Sequence, residues 1–151
     1  MLHPSGFSWS DLIPEDWSGT YLIAAVSGDV TYVFNGNEEV NGFVSATVTD
    51  NRITFAEGMA PVVIAAMEGG YSLHVSNGYM YGDPDKNCLS FSNDAKLAVI
   101  GMQEDGTVEI VSNTATLRFN SSSNQLRFRF YKPNSGSSFP LVQLYRLAAK
   151  N

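Results

Sequence analysis

Three clusters of side chains in this sequence could bind something, and each has a competing structural use. Asp83-Pro84-Asp85-Lys86-Asn87 offers oxygen atoms at alternate positions, the spacing by which one side of a turn can surround a hard cation such as calcium. The full calcium loop is not met: Cys88 stands where that loop needs glycine for its sharp turn, and the closing acid would be Asp94 and not a bidentate glutamate. The segment is therefore expected to be a polar hairpin turn. Tyr79, Tyr81 and Asp83 form an aromatic and acidic cluster just before it. Sugar sites use an aromatic face for the apolar side of a ring and a carboxylate for two hydroxyls, so these three are the candidate ligand-binding residues. The alternative is that the two tyrosines share one face and cap the fold. Arg127 and Arg129, with Arg118 on a neighbouring strand, are the candidate anion-binding residues, a stripe suited to sulfated glycan, phosphate or nucleic acid. Their alternative use is to pair with acidic residues of the same domain.

Catalysis demands several positioned groups, and the sequence does not supply them. His74 alternates with Leu73 and Val75 and is expected to face solvent, while His3 lies in the amino-terminal tail, so neither a metal set nor a histidine-based catalytic set can be assembled. Cys88 has no evident base partner and precedes the apolar Leu89 and Phe91, which suits a small packing residue. The chain is read as a non-enzyme with no catalytic residues, no metal and no cofactor. Asn120-Ser121-Ser122 matches a glycosylation sequon, a frequent chance match.

The elements that carry these residues read as strands. Apolar residues alternate over short stretches between turn signals, most clearly in Leu126-Arg127-Phe128-Arg129-Phe130, which puts three apolar side chains on one face and two arginines on the other. Tyr71-Ser72-Leu73-His74-Val75 repeats the pattern. The continuous apolar run Val62-Val63-Ile64-Ala65-Ala66-Met67 suits a strand buried on both sides. Phe119, Phe128 and Phe130 fall on the face opposite the arginines, which weighs against nucleic acid, since base stacking needs exposed aromatics.

Composition agrees with an all-β domain. Hydrophobic residues make up 44% and charged residues 16% of 151 residues, with 13 glycines; such a chain can close a core, and its Asn-Gly, Ser-Asn and Gly-Asp pairs supply tight turns. No apolar run approaches the roughly eighteen residues of a membrane helix, so no membrane span is expected. The opening Met1-Leu2-His3-Pro4 lacks the basic and apolar regions of a secretory signal. Cys88 is the one cysteine and cannot close an internal disulfide. The net charge of −6 is uneven: residues 1–105 hold fourteen of the fifteen acids and three of the nine bases, whereas residues 106–151 hold Glu109 against Arg118, Arg127, Arg129, Lys132, Arg146 and Lys150. The overall charge repels polyanions, yet the last third is basic.

Three segments line up as repeats, beginning Gly19-Thr20-Tyr21-Leu22-Ile23, Gly70-Tyr71-Ser72-Leu73 and Gly106-Thr107-Val108-Glu109-Ile110. Second strands come next at Tyr32–Asn35, Tyr79–Gly82 and Leu117–Asn120. Third strands lie at Ile53–Phe55, Leu89–Phe91 and Leu126–Phe128, and fourth strands at Val63–Met67, Val99–Met102 and Leu141–Tyr145. Twelve strands in three units predict a β-trefoil-like closed barrel over residues 19–151, which would remove exposed strand edges. An up-and-down barrel or sandwich of eight to ten strands is the alternative. Residues 1–18 precede the repeats and form an N-terminal arm, with Trp9, Leu12, Ile13 and Trp17 expected to pack across one end of the barrel.

Trp17-Ser18-Gly19-Thr20-Tyr21-Leu22-Ile23, Asp105-Gly106-Thr107-Val108-Glu109-Ile110, and Leu126-Arg127-Phe128-Arg129-Phe130-Tyr131 with Gln143-Leu144-Tyr145 resemble β-rich accessory domains at the carboxyl ends of secreted nucleases and other surface proteins of gut Bacteroidetes. The resemblance implies a non-catalytic role, a secreted or cell-surface location, and other domains of a larger parent protein as partners. In outline the chain also resembles ricin-type trefoils, but their repeated Gln-x-Trp survives at most as Gln143-Leu144-Tyr145, and both tryptophans precede the first repeat. Taken together, the sequence predicts a non-catalytic binding module with glycan as the leading ligand class and a polyanion as the other. Its alternatives are a structural or protein-interaction domain with no small ligand, and a trefoil-type hydrolase inhibitor acting through a protruding loop at Asn35–Val44 or Tyr131–Phe139.

Overall fold

A computed structural model describes residues 6–10 and 13–147 of the chain. Among them every regular element is a strand and every pairing is antiparallel, so the fold is all-β, a strongly curled sheet that forms a half-barrel. The arm supplies β1 (Gly6–Ser8). The first repeat supplies β2 (Gly19–Ser27), β3 (Val30–Phe34), β4 (Phe43–Ala46), β5 (Arg52–Thr54) and β6 (Val62–Met67). The second supplies β7 (Gly70–Val75), β8 (Gly78–Asp83), β9 (Lys86–Ser92) and β10 (Val99–Met102), and the third β11 (Val108–Ser112), β12 (Ala115–Asn120), β13 (Arg127–Tyr131) and β14 (Gln143–Leu147).

The pairing repeats itself along the chain. The strand that opens each repeat pairs with the next one, β2 with β3, β7 with β8 and β11 with β12. The strand that closes each repeat pairs with the opener of another, β6 with β7, β10 with β11 and β14 with β2. Opener and closer of the same repeat also meet: β2 with β6 through Tyr21↔Val62, and the other two by the bridges Tyr71↔Ala98 and Val108↔Val142, just ahead of β10 and β14.

An aromatic stack drawn from the first and third repeats fills the centre. Phe119 packs on Phe128 with ring centroids 4.9 Å apart, Phe34 meets Phe128 edge-on at 5.5 Å, and Tyr32 stacks on Phe119 at 4.6 Å. Met80 and Leu89 of the second repeat complete this core. Alternation on β13 holds, with Phe128 and Phe130 buried and Arg127 and Arg129 at the surface.

Two strand assignments are corrected by the pairing. Val62–Met67 is not buried on both sides: Val62 and Ile64 are buried, while Val63 is 46% exposed. The strand buried on both faces is β2, whose Tyr21, Ile23 and Ala25 enter the central core while Leu22 and Ala24 join Phe7, Val33, Ile53 and Tyr145 in a second cluster. Continuous small and apolar sequence is shared by both strands; β2 alone has an extra layer over its other face, because β1 and β5 pair beside β14. The second correction concerns the strand that comes after β3. Ile53 belongs to β5, which pairs with β1, and Phe55 lies outside it and is exposed. The partner of β3 is β4, four residues that the preceding Asn35-Gly36 and Asn41-Gly42 pairs disguised as loop.

Candidate functional site

The arm does pack on the sheet, and the packing leaves a pocket. Trp9 is fixed at both ends: its backbone N–H donates to Asn51 O at 2.8 Å and its indole Nε1–H to Gly106 O at 3.0 Å. Gly106 has to be glycine here, because its φ of +85° is unfavourable for a side chain and a Cβ would stand 2.2 Å from Trp9 Cζ2. Trp17 is buried, its N–H donates to the Tyr71 hydroxyl at 3.2 Å, and its ring lies 6.5 Å from that of Tyr21. Ile13, expected to pack with them, is 71% exposed, since the nearby apolar space is taken by the tryptophans; Leu12 lies outside the described residues.

Beneath the tryptophans is a cavity of about 170 Å³. Ser8, Trp9, Ser10, Pro14 and Trp17 line it from the arm, and Tyr21, Met102, Val108, Leu144 and Arg146 from four strands. The lining is mainly apolar and aromatic with a few polar groups at its edge, the composition of a small-molecule site. Its volume falls below the roughly 300–1,000 Å³ of drug-sized pockets, so it suits one ring and not a long chain.

Two polar groups at this pocket keep bonding capacity that the fold does not use. Tyr21 is 3% exposed, and its hydroxyl is buried with no hydrogen-bond partner. Burial pushes its pKa above the usual tyrosine value against an opposing pull from Arg146, so it is a neutral donor at physiological pH. Arg146 faces Tyr21 across β14 and β2, and Ser8 across β14 and β1. Its guanidinium sits over the Tyr21 ring at 5.6 Å and donates from Nη2 to Ser18 O at 2.8 Å. No ion pair ties it to a described carboxylate. Asp16, whose charge it helps to hold, accepts from Ser18 N at 2.8 Å, and that bond is the main reason its pKa lies below the usual carboxylate value.

A scan against protein-family models and searches of curated proteins and of solved structures give no match to this chain, which leaves the geometry of the site as the guide to its use.

The residues singled out from the sequence are placed elsewhere. Tyr79 and Tyr81 flank the buried Met80 on β8 and share its outer face, half-buried. The Tyr79 ring lies 4.4 Å from that of His74, which is exposed as expected, and the Lys96 ammonium sits 5.1 Å from the Tyr81 centroid. Asp83 Oδ1 accepts from Asp85 N at 2.7 Å, so this carboxylate closes its own turn, and the segment after it is the hairpin turn between β8 and β9. Cys88 is half-buried, 3.7 Å from the Ser90 hydroxyl.

The arginine stripe exists, and each of its arginines is bonded within the chain, although Arg127 Nε is buried without a partner among the described residues. Arg118 and Arg129 stand directly opposite each other on β12 and β13. Arg118 Nη1 donates to Phe139 O at 2.8 Å, Arg127 Nη2 to Gln125 Oε1 at 2.9 Å, and Arg129 pairs with Glu38 at 2.9 Å. Both loops that an inhibitor could present are pinned as well. Within Asn35–Val44, Glu38 also accepts from Leu89 N at 2.7 Å and Asn41 N donates to Leu126 O; within Tyr131–Phe139, Ser135 and Lys132 bond to Asn87. Asn120 is buried with its Oδ1 bonded to Ser122 N, which removes it as a glycosylation acceptor in the folded chain.

Proposed function

We propose that the chain is a non-catalytic binding module on a trefoil-like barrel, and that its ligand is a glycan whose terminal ring enters the pocket beside Trp9, Trp17 and Tyr21. The trefoil reading is supported by the pairing scheme: opener and closer of each repeat meet, and each closer meets the opener of another, as six barrel strands in three-fold arrangement would. The observation that carries the binding reading is the pocket itself. Both tryptophans of the chain line it, together with Tyr21 and with Ser8, Ser10 and Arg146 as its polar groups. A sugar presents an apolar face to such rings and hydroxyls to such donors. The resemblance to accessory domains of secreted and surface proteins supports an extracytoplasmic setting beside other domains of a larger parent.

The test is a glycan array carrying neutral, acidic and sulfated sugars, probed at low and high salt with the natural chain, Trp9→Ala and Tyr79→Ala. Binding that Trp9→Ala abolishes and Tyr79→Ala leaves intact is the expected result. No binding at either salt overturns the glycan reading in favour of a structural domain that spaces or docks its neighbours. Salt-sensitive binding to sulfated chains that Trp9→Ala leaves intact moves the site to Arg118, Arg127 and Arg129.

A further inference from the structure

The pocket carries one feature a neutral sugar does not need, an exposed cation at its rim. Arg146 has five N–H donors, and one is given to Ser18 O. Gly19 makes room for the rest of the guanidinium, since a Cβ there would lie 3.2 Å from both Nε and Nη2 and 3.3 Å from Cζ. The Tyr21 ring supports it from one face. Arg146 is exposed, with its guanidinium bonded to Ser18 O and lying over the Tyr21 ring, and no described carboxylate forms an ion pair with it, in contrast to Arg129, which Glu38 neutralises. A planar fork beside an apolar pocket recognises a carboxylate better than a hydroxyl, because it can donate two parallel charge-assisted bonds. Asp16 adds an opposing charge nearby, which the bond from Ser18 N does not remove, so a ligand carboxylate would share Arg146 with it.

Resting on the reading of the pocket as a sugar site, we propose that the ring it accepts is acidic, a uronic-type sugar whose carboxylate is read by Arg146. A single bound anion of this kind escapes the net repulsion that a charge of −6 exerts on a polyanion.

Intrinsic fluorescence tests this directly, because both tryptophans of the chain line the pocket. The natural chain, Arg146→Gln and Arg146→Lys, each confirmed folded by circular dichroism, are titrated with methyl glucuronide and methyl galacturonide and with the corresponding neutral glucoside and galactoside. The expected result is an emission change with at least one uronide at ten-fold or lower concentration than with its neutral counterpart. Arg146→Gln should lose that preference and Arg146→Lys should keep part of it. Equal affinity for acidic and neutral sugars, unchanged in Arg146→Gln, overturns the acidic-ligand inference and leaves the pocket as a neutral sugar site. No emission change with any of the four sugars overturns both.

Discussion

The loop after β3 and the arm before β2 each bridge distant parts of the sheet, yet they leave their polar groups in opposite states. In the loop, Glu38 receives Leu89 N and Arg129 Nε, Asn41 N reaches Leu126 O, and Asn77 Nδ2 donates to Gly36 O at 3.0 Å. Each of these donors has an acceptor within the chain. At the arm, Tyr21 keeps a buried hydroxyl without a partner, Arg146 keeps a charge with no paired carboxylate among the described residues, and open volume remains between them and the tryptophans. A buried polar group left unmatched costs stability, about 1–3 kcal/mol by mutational experience, so a protein that closes one bridge completely and leaves another open is less stable for the second. Unmatched buried groups are not confined to the arm, since Arg127 Nε, the Tyr131 hydroxyl and Gln143 Oε1 also lack partners among the described residues, so it is the open volume beside the tryptophans that marks the arm as the candidate site.

Substitutions break the comparison at either end. The largest effect is expected from Gly106→Ala, where the added methyl collides with Trp9 and the backbone stays at φ +85°. Strain of this kind costs about 1–3 kcal/mol, and the indole must leave its seat. Thermal unfolding should fall by several degrees and sugar-dependent fluorescence should disappear together. Glu38→Ala comes next at about 2 kcal/mol, since it removes charge-assisted bonds to Leu89 N and Arg129. For a domain of this size that is a drop of about 6 °C in Tm, and the pocket should bind as before; lost binding would mean that the two regions are coupled.

Alkaline titration acts on the arm and its surroundings. Tyr21, Tyr131 and Tyr145 have pKa values raised above the usual tyrosine value, in each case mainly by burial. A raised folded-state pKa gives stability that is full below the unfolded value of about 10 and is lost as pH climbs through the folded values. Tm should therefore hold steady toward pH 9 and decline above about 10. A flat profile to pH 12 would show that these hydroxyls ionise as freely folded as unfolded. The smallest effect has the opposite sign. Tyr21→Phe removes a hydroxyl that nothing among the described residues satisfies, so the free protein should gain up to about 1 kcal/mol. Loss of stability in that variant would reveal a partner for the hydroxyl.

Much of the fold was legible because strands announce themselves locally. The alternation of Leu126–Phe130, the three Gly-led openings and the short apolar runs after them place twelve of the strands without reference to anything distant. β4 was hidden because its four residues come directly after two Asn-Gly pairs, and the double burial of β2 was hidden because it depends on β1 and β5, which arrive from other parts of the chain. The site obeyed the same rule. Tyr79, Tyr81 and Asp83, and the arginines of β12 and β13, stood out because they are neighbours in sequence, and the fold engages most of them in local contacts. Trp9 and Trp17 were visible as an arm packed on the sheet. Their companions Met102, Val108 and Arg146 lie far along the chain and are brought in by the meeting of β10, β11 and β14. The signal available in sequence was compositional: both tryptophans gathered in the arm, ahead of the first repeat.

The most direct test of the pocket tracks the two indole N–H signals by 1H–15N NMR during titration with methyl glucuronide. The account predicts that both move saturably, and that the Gly106 amide, beside the Trp9 seat, moves with them. Movement confined to the amides around Tyr79 and Tyr81 on β8, with both indole signals still, would contradict it.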